Sequence, residues 1–263
     1  MNPRMDSVVS YFFKRLVRKQ RHIRLLIAEY ASRSSELKPE MFRGKRVALI
    51  GPADTVKHEV TAQELNEYDV VVRMNKAIDV PLNLPDGKVC RCDILFHSLN
   101  ETGSRSAGTL TNEKLERCGV KTIVLRLTNL NSMRGFHKKV DALRDREIAA
   151  NVTFLRPTFL HKLGAELCGF VPTTGFACWR FFLEAECIEL FIAGFSFFQT
   201  PYLPGYNDKI SSDVEAQLWA TKDEHHSPEL EKRILKHMHS VALKRGKNIR
   251  LGSETRKFLL ASE

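Results

Sequence analysis

Val47-Ala48-Leu49-Ile50-Gly51-Pro52-Ala53, followed by Val70-Val71-Val72-Arg73-Met74-Asn75, decides the fold. The first stretch reads as an apolar strand running into a turn at Gly51. The second reads as an apolar strand that ends on polar Arg-Met-Asn. A helix between them completes one half of a nucleotide-binding sheet. Polar groups gather at the strand ends, where ligands of open α/β sheets sit.

The alternation continues along the chain. Strands are predicted at Arg46–Ile50, Val70–Met74, Asp93–Phe96, Lys121–Leu125, Val152–Leu155, Leu190–Ala193 and Asn248–Leu251. Helices are predicted at Thr61–Asn66, Asn112–Cys118, Gly135–Ile148, Thr158–Cys168, Thr174–Glu186, Asp213–Ala220 and Pro228–Lys244. This pattern predicts an α/β, Rossmann-like fold: a mostly parallel sheet flanked by helices on both faces. It fills a single domain over residues 41–263, and no internal repeat is present. The polar loops 100–108 and 199–209 are read either as carriers of substrate contacts or as plain connectors.

Residues 1–40 form a separate block. Within 6–31, Phe12, Leu16, Ile23, Ile27 and Tyr30 recur at helical spacing among Lys14, Arg15, Arg18, Lys19, Arg21 and Arg24. This basic amphipathic helix suits an anionic membrane surface, or packs on protein. The cationic residues interrupt the apolar core a secretory signal needs, and no apolar run is long enough to span a bilayer. The chain is therefore expected in the cytoplasm, soluble or peripheral at the inner face of the cell membrane.

The 263 residues are 43% hydrophobic and 27% charged, which excludes a disordered chain. The net charge of +10 points to anionic partners, without choosing among nucleic acid, lipid and sugar nucleotides. Six cysteines are scattered; Cys90-Arg91-Cys92 is too closely spaced for a zinc knuckle, so reduced thiols are expected.

Gly51 is expected to let the backbone approach a ligand and take a positive φ. The Gly-x-Gly-x-x-Gly fingerprint and the P-loop lysine are absent, which disfavours a dehydrogenase or an ATP site of those kinds. Asn75 either caps its strand or offers its amide to a nucleotide. Thr173 and Thr174 precede a helix at Gly175. That helix start either holds an anion on its N–H groups or is simply capped by Thr. Ser227-Pro228 opens the last long helix, with Leu230, Ile234, Met238 and Val241 as its apolar stripe. His226 stands just before it, read either as a surface His at a helix start or as a neutral base that Glu231 would orient. His225, His237 and His239 are read as bystanders on an exposed face.

Together these segments resemble the sialyltransferases of glycosyltransferase family 29. Gly51 and Arg73-Met74-Asn75 match the large sialylmotif. Pro172-Thr173-Thr174-Gly175, Ala185, Cys187 and Gly194-Phe195 match the small one. His226 and Glu231 match the very small one. Two departures stand out. Pro52 replaces an Asn that usually follows the first Gly. Val47 replaces the cysteine that normally bonds the small-motif cysteine, leaving Cys187 without that partner; this fits a reducing compartment and a bacterial-type enzyme. Tyr206-Asn207-Asp208 is the best candidate for the remaining motif.

The resemblance implies an inverting enzyme of a variant GT-A architecture. It would move an acid sugar, sialic acid, from its CMP donor to a glycan or glycolipid hydroxyl. His226 would be the general base. Gly51, Pro52, Asn75, Thr173, Thr174, Gly175 and Tyr206 would face the donor. No cofactor is expected, and the lack of Asp-x-Asp argues against a metal; Asp213-Val214-Glu215 is read as a solvated helix face. CMP-Kdo transfer to a bacterial surface glycolipid is one alternative. A basic nucleic-acid-binding protein is another, disfavoured by dispersed charge and the lack of a recognisable signature.

Overall fold

The computed structural model describes residues 35–103, 106–126, 140–221 and 226–261. The amphipathic segment 6–31 lies outside them. Ten strands are described: β1 (Ser35–Glu36), β2 (Arg46–Ile50), β3 (Val70–Met74), β4 (Leu82–Leu84), β5 (Gly87–Val89), β6 (Ile94–His97), β7 (Thr122–Leu125), β8 (Asn151–Phe154), β9 (Glu189–Ala193) and β10 (Ile249–Leu251). The described helices are α1 (Ala62–Asn66), α2 (Asn112–Cys118), α3 (Pro157–Glu166), α4 (Thr174–Glu184), α5 (Asp213–Thr221), α6 (Pro228–Lys244) and α7 (Ser253–Leu260). Of the helix expected over 135–148, residues 140–145 are helical and 127–139 lie outside the described residues.

Eight strands form one sheet in the order β1-β8-β7-β6-β3-β2-β9-β10, and every pairing in it is parallel. The fold is α/β and Rossmann-like. Successive residues of β2 serve opposite faces, as the pleat requires. Val47 and Leu49 join the larger core with α4 and α6, whereas Ala48 and Ile50 join a second core with Tyr68, Leu82 and Tyr206. From β2 the chain builds outward through β3, β6, β7 and β8. It then returns to lay β9 on the other side of β2. This reversal is a topological switch point, and it opens a crevice beyond the carboxyl ends of the strands.

Several expectations need correction. Residues 35–40, read as part of an N-terminal linker, belong to the sheet domain. β1 pairs with β8, Leu37 N donates to Phe154 O at 2.9 Å, and Leu37 is buried. The antiparallel hairpin of β4 and β5, turning at Pro85-Asp86-Gly87, is an element beyond those expected. Asp86 in that turn accepts from Ala62 N and Gln63 N, which caps α1 and holds its carboxyl below the usual range. Helix α7 is a further element beyond those expected from the sequence. In α6 the buried face is turned about one residue from the expected stripe: Glu231, Leu235, His239 and Ala242 point inward, while Leu230, Ile234 and Met238 are partly buried. His239 is therefore no surface bystander. Among the described residues, no helix is long and apolar enough to cross a membrane.

Candidate functional site

A cavity of about 190 Å³ opens at the switch point. Its walls come from five strand ends and three helices. Pro52 and Ala53 lie beyond β2, Met74 and Asn75 at the end of β3, Ser98 beyond β6 and Arg126 beyond β7. Residues 173–176 start α4, and residues 194–198 follow β9. Thr200, Tyr202, Tyr206, Trp219, His226, Glu231 and Leu235 complete it. The structure thus brings Pro52, Asn75, Thr173, Thr174, Gly175, Tyr206, His226 and Glu231 around one space. Gly51 is not in its wall.

Gly51 lies behind the wall, for a reason other than the expected one. Its φ is not positive, and its backbone approaches Gly194 rather than open space. Gly51 N donates to Ala193 O at 2.8 Å and Ala53 N to Gly194 O at 3.0 Å. Gly194 takes φ +76°, and a Cβ there would stand 2.6 Å from Gly51 O. The two glycines let the turns after β2 and β9 touch. Glu59 secures the join: its carboxylate accepts from Gly194 N at 2.9 Å and from Thr255 N in the first turn of α7 at 2.8 Å.

Asn75 ends β3 in the left-handed region at φ 49°, a conformation Asn tolerates better than most residues. Its Oδ1 accepts from Ser98 N at 3.2 Å. The Tyr206 hydroxyl is bonded to the Asn75 side chain and reaches Met74 O at 3.4 Å. Burial raises the Tyr206 phenol pKa above its ordinary value. Tyr206 therefore braces Asn75, and its ring stacks on Tyr202 at 5.1 Å between centroids. Tyr202 meets Trp219 edge-on, so an aromatic wall faces the cavity. Phe197 and Phe198 carry it in consecutive left-handed conformations, φ 53° and 62°. Such strain is held only where surrounding structure over-determines it.

Thr173 caps α4. Its Oγ1 accepts from Phe176 N at 3.0 Å. The same hydroxyl donates to Glu231 Oε2, and Thr173 N donates to Glu231 Oε1, both at 2.7 Å. Of the two readings of this helix start, the Thr cap is the one observed. The polar groups of Thr173 are occupied by the protein, which leaves the first-turn N–H groups of Thr174 and Gly175 beside the cavity. Glu231, expected to orient His226, holds Thr173 with both oxygens. That bond also explains why α6 turns Glu231 inward. Burial pushes the Glu231 carboxyl up to about 7, against the lowering effect of Thr173 and Arg126.

His226 is held by a backbone carbonyl: Nδ1 lies 2.5 Å from Val171 O. A neutral ring donating from Nδ1 carries its lone pair on Nε2. Arg126 is the chief residue that sequence reasoning missed. It is the first residue past β7, and its Nη1 donates to Pro172 O. Burial lowers it to about 10, so it stays charged at neutral pH. The signal that singled out Arg73-Met74-Asn75, a polar residue at the end of an apolar strand, is also present in Thr122–Leu125 followed by Arg126.

His97 ends β6 inside the protein. Leu99 N donates to its Nδ1 at 3.1 Å, so Nε2 carries the proton and donates to Ala107 O at 3.0 Å. Burial lowers its pKa from 6.5 to about 4. The unfolded chain takes up this proton first as pH falls. The associated stability is present above pH 6.5 and lost progressively towards pH 4, roughly 3 kcal/mol in all. Glu231 acts in the opposite sense: its raised pKa favours folding below 4.5 and loses that contribution as pH rises through about 7. Urea titrations of wild type and His97→Gln at pH 7 and pH 4.5 separate the two effects. The variant is expected to lose roughly 2 kcal/mol less than wild type over that interval. Equal losses would show that His97 does not carry the acid sensitivity.

The six cysteines are free thiols. No family model and no curated protein matches the chain. Solved structures do. A point variant of the sialyltransferase CST-II in complex with CMP aligns with a TM-score of 0.51 and 15% identity, over 82% of this chain and 84% of that one. CstII from Campylobacter jejuni in complex with CMP-3FNeuAc gives 0.49 and 12%, over 79% and 80%. The alpha-2,3-sialyltransferase from Campylobacter jejuni in apo form gives 0.49 and 13%, over 87% and 85%. The first of these likenesses shows a sialyltransferase-like fold.

Proposed function

We propose that this chain is an inverting glycosyltransferase of the family 29 kind, which moves sialic acid from its CMP donor to a hydroxyl of a glycan or glycolipid. One observation carries the reading. Three soft motifs, far apart in sequence, meet at a single cavity at the switch point of a parallel sheet. The likeness in fold to a CMP-bound sialyltransferase agrees with it.

In this reading Asn75, braced by Tyr206 and Ser98, faces the nucleotide. The N–H groups of Thr174 and Gly175 stand at the positive end of α4 and hold an anionic oxygen of the donor. His226, with Nδ1 held by Val171, takes the acceptor proton on Nε2 as the hydroxyl attacks from the face opposite CMP. The transition state is oxocarbenium-like. CMP leaves as a monophosphate, with less charge than a diphosphate, so fixed donors suffice and no metal is required. The basic segment 6–31 would bring the enzyme to an anionic membrane surface.

A calorimetric titration with CMP tests the donor site. Wild type is expected to bind, and Asn75→Ala to bind at least tenfold more weakly, the loss of about one charge-assisted hydrogen bond. Absence of CMP binding by wild type, together with salt-sensitive binding to random oligonucleotides, would replace the transferase reading with the nucleic-acid one. CMP release from CMP-sialic acid and from CMP-Kdo, measured separately, identifies the sugar.

A further inference from the structure

The chain carries a net charge of +10, yet Arg126 is the sole Lys or Arg among the described residues that wall the cavity. Its Nη1 is spent on Pro172 O. Its Nε is buried and has no hydrogen-bond partner among the described residues. The nearby carboxylate, Glu231, hydrogen-bonds Thr173 with both oxygens and acts on Arg126 through its field. A buried guanidinium donor without an acceptor is a cost to the folded protein, and an incoming anion removes it.

The position of Arg126 says which anion. Arg126 is anchored on the carbonyl of Pro172 and His226 on the carbonyl of Val171, one peptide unit apart. Both line the same cavity, so if His226 serves the reacting carbon, Arg126 is the cation available to the substituents of that carbon. In a 2-keto acid sugar the anomeric carbon bears the carboxylate. The planar carboxylate also fits the Nε edge of a guanidinium, which donates along two parallel directions. The phosphate has alternative donors in the first turn of α4.

Resting on the transferase reading above, we infer that Arg126 binds the anomeric carboxylate of the donor. It thereby restricts the site to CMP esters of acid sugars. Arg126 is thus a specificity-determining residue, distinct from the groups that hold CMP.

Binding of CMP and of CMP-sialic acid is compared by calorimetry for wild type, Arg126→Met and Arg126→Lys, with thermal melts to confirm folding. Arg126→Met is expected to hold CMP within twofold of wild type. It should lose tenfold or more in affinity for CMP-sialic acid, and KM for that donor should rise more than kcat falls. Arg126→Lys keeps the charge without the fork and should fall between, which keeps the test decisive if the Met variant does not fold. Equal weakening of CMP and CMP-sialic acid, or no weakening of either, overturns the inference while leaving the transferase reading intact. Failure of wild type to bind CMP overturns both.

Discussion

His226→Ala is expected to bind CMP as tightly as wild type and to turn over the CMP-sugar roughly 10²–10⁴-fold more slowly, the usual worth of a positioned general base. The side chain lines the cavity and is tethered by one ring nitrogen to Val171 O. Removing it takes away the proton acceptor without disturbing Asn75 or the start of α4. The loss should therefore appear in kcat, with CMP affinity unchanged by calorimetry. His226→Gln should be as slow as Ala, because an amide can fill the space but cannot take the proton. The assay is run in EDTA, where wild type is expected to retain its activity. Undiminished kcat in His226→Ala would remove the base from the mechanism.

Gly51→Ala is expected to cost about 3 kcal/mol or more, lowering Tm by roughly 6–12 °C, and to abolish CMP binding with it. A Cβ on Gly51 would press into the carbonyl of Gly194 and stand 2.9 Å from Phe195 Cδ2. The obstacle is backbone, so no side-chain rotation relieves it. The two turns would have to part, and they carry Pro52, Ala53 and residues 194–198 of the cavity wall. Gly164→Ala in α3 is the control. Nothing lies within 4 Å of its new methyl, and the change should stabilise the helix by up to about 1 kcal/mol. A Gly51→Ala protein that melts with wild type would show that the two turns separate at no cost.

Some of this was legible residue by residue. The strands Arg46–Ile50 and Val70–Met74 and the helix Pro228–Lys244 stand where their patterns place them. Long apolar runs and a Ser-Pro start are local signals that tertiary context rarely overrides. The two-residue β1 and the short β4–β5 hairpin had no such signal, because so few residues carry no period. The candidate site was legible as a set of residue types and less so as a set of contacts. Asn75, Thr174, Gly175 and His226 line the cavity. The contacts of Thr173, Glu231 and Tyr206 with distant segments were not legible, because each bonds a neighbour more than 50 residues away in the chain.

Hydrophobic period and strand-end chemistry, both properties of neighbouring residues, determined the α/β class, the parallel order of elements and the residues worth watching. Tertiary structure alone decided that Gly51 meets Gly194, that Glu231 holds Thr173, and that Arg126 comes to the cavity with an unpaired donor. The physical reason is range. Periodicity and capping act within a few residues, whereas close backbone contact, burial and the sharing of a buried hydrogen bond arise only when distant segments are brought together.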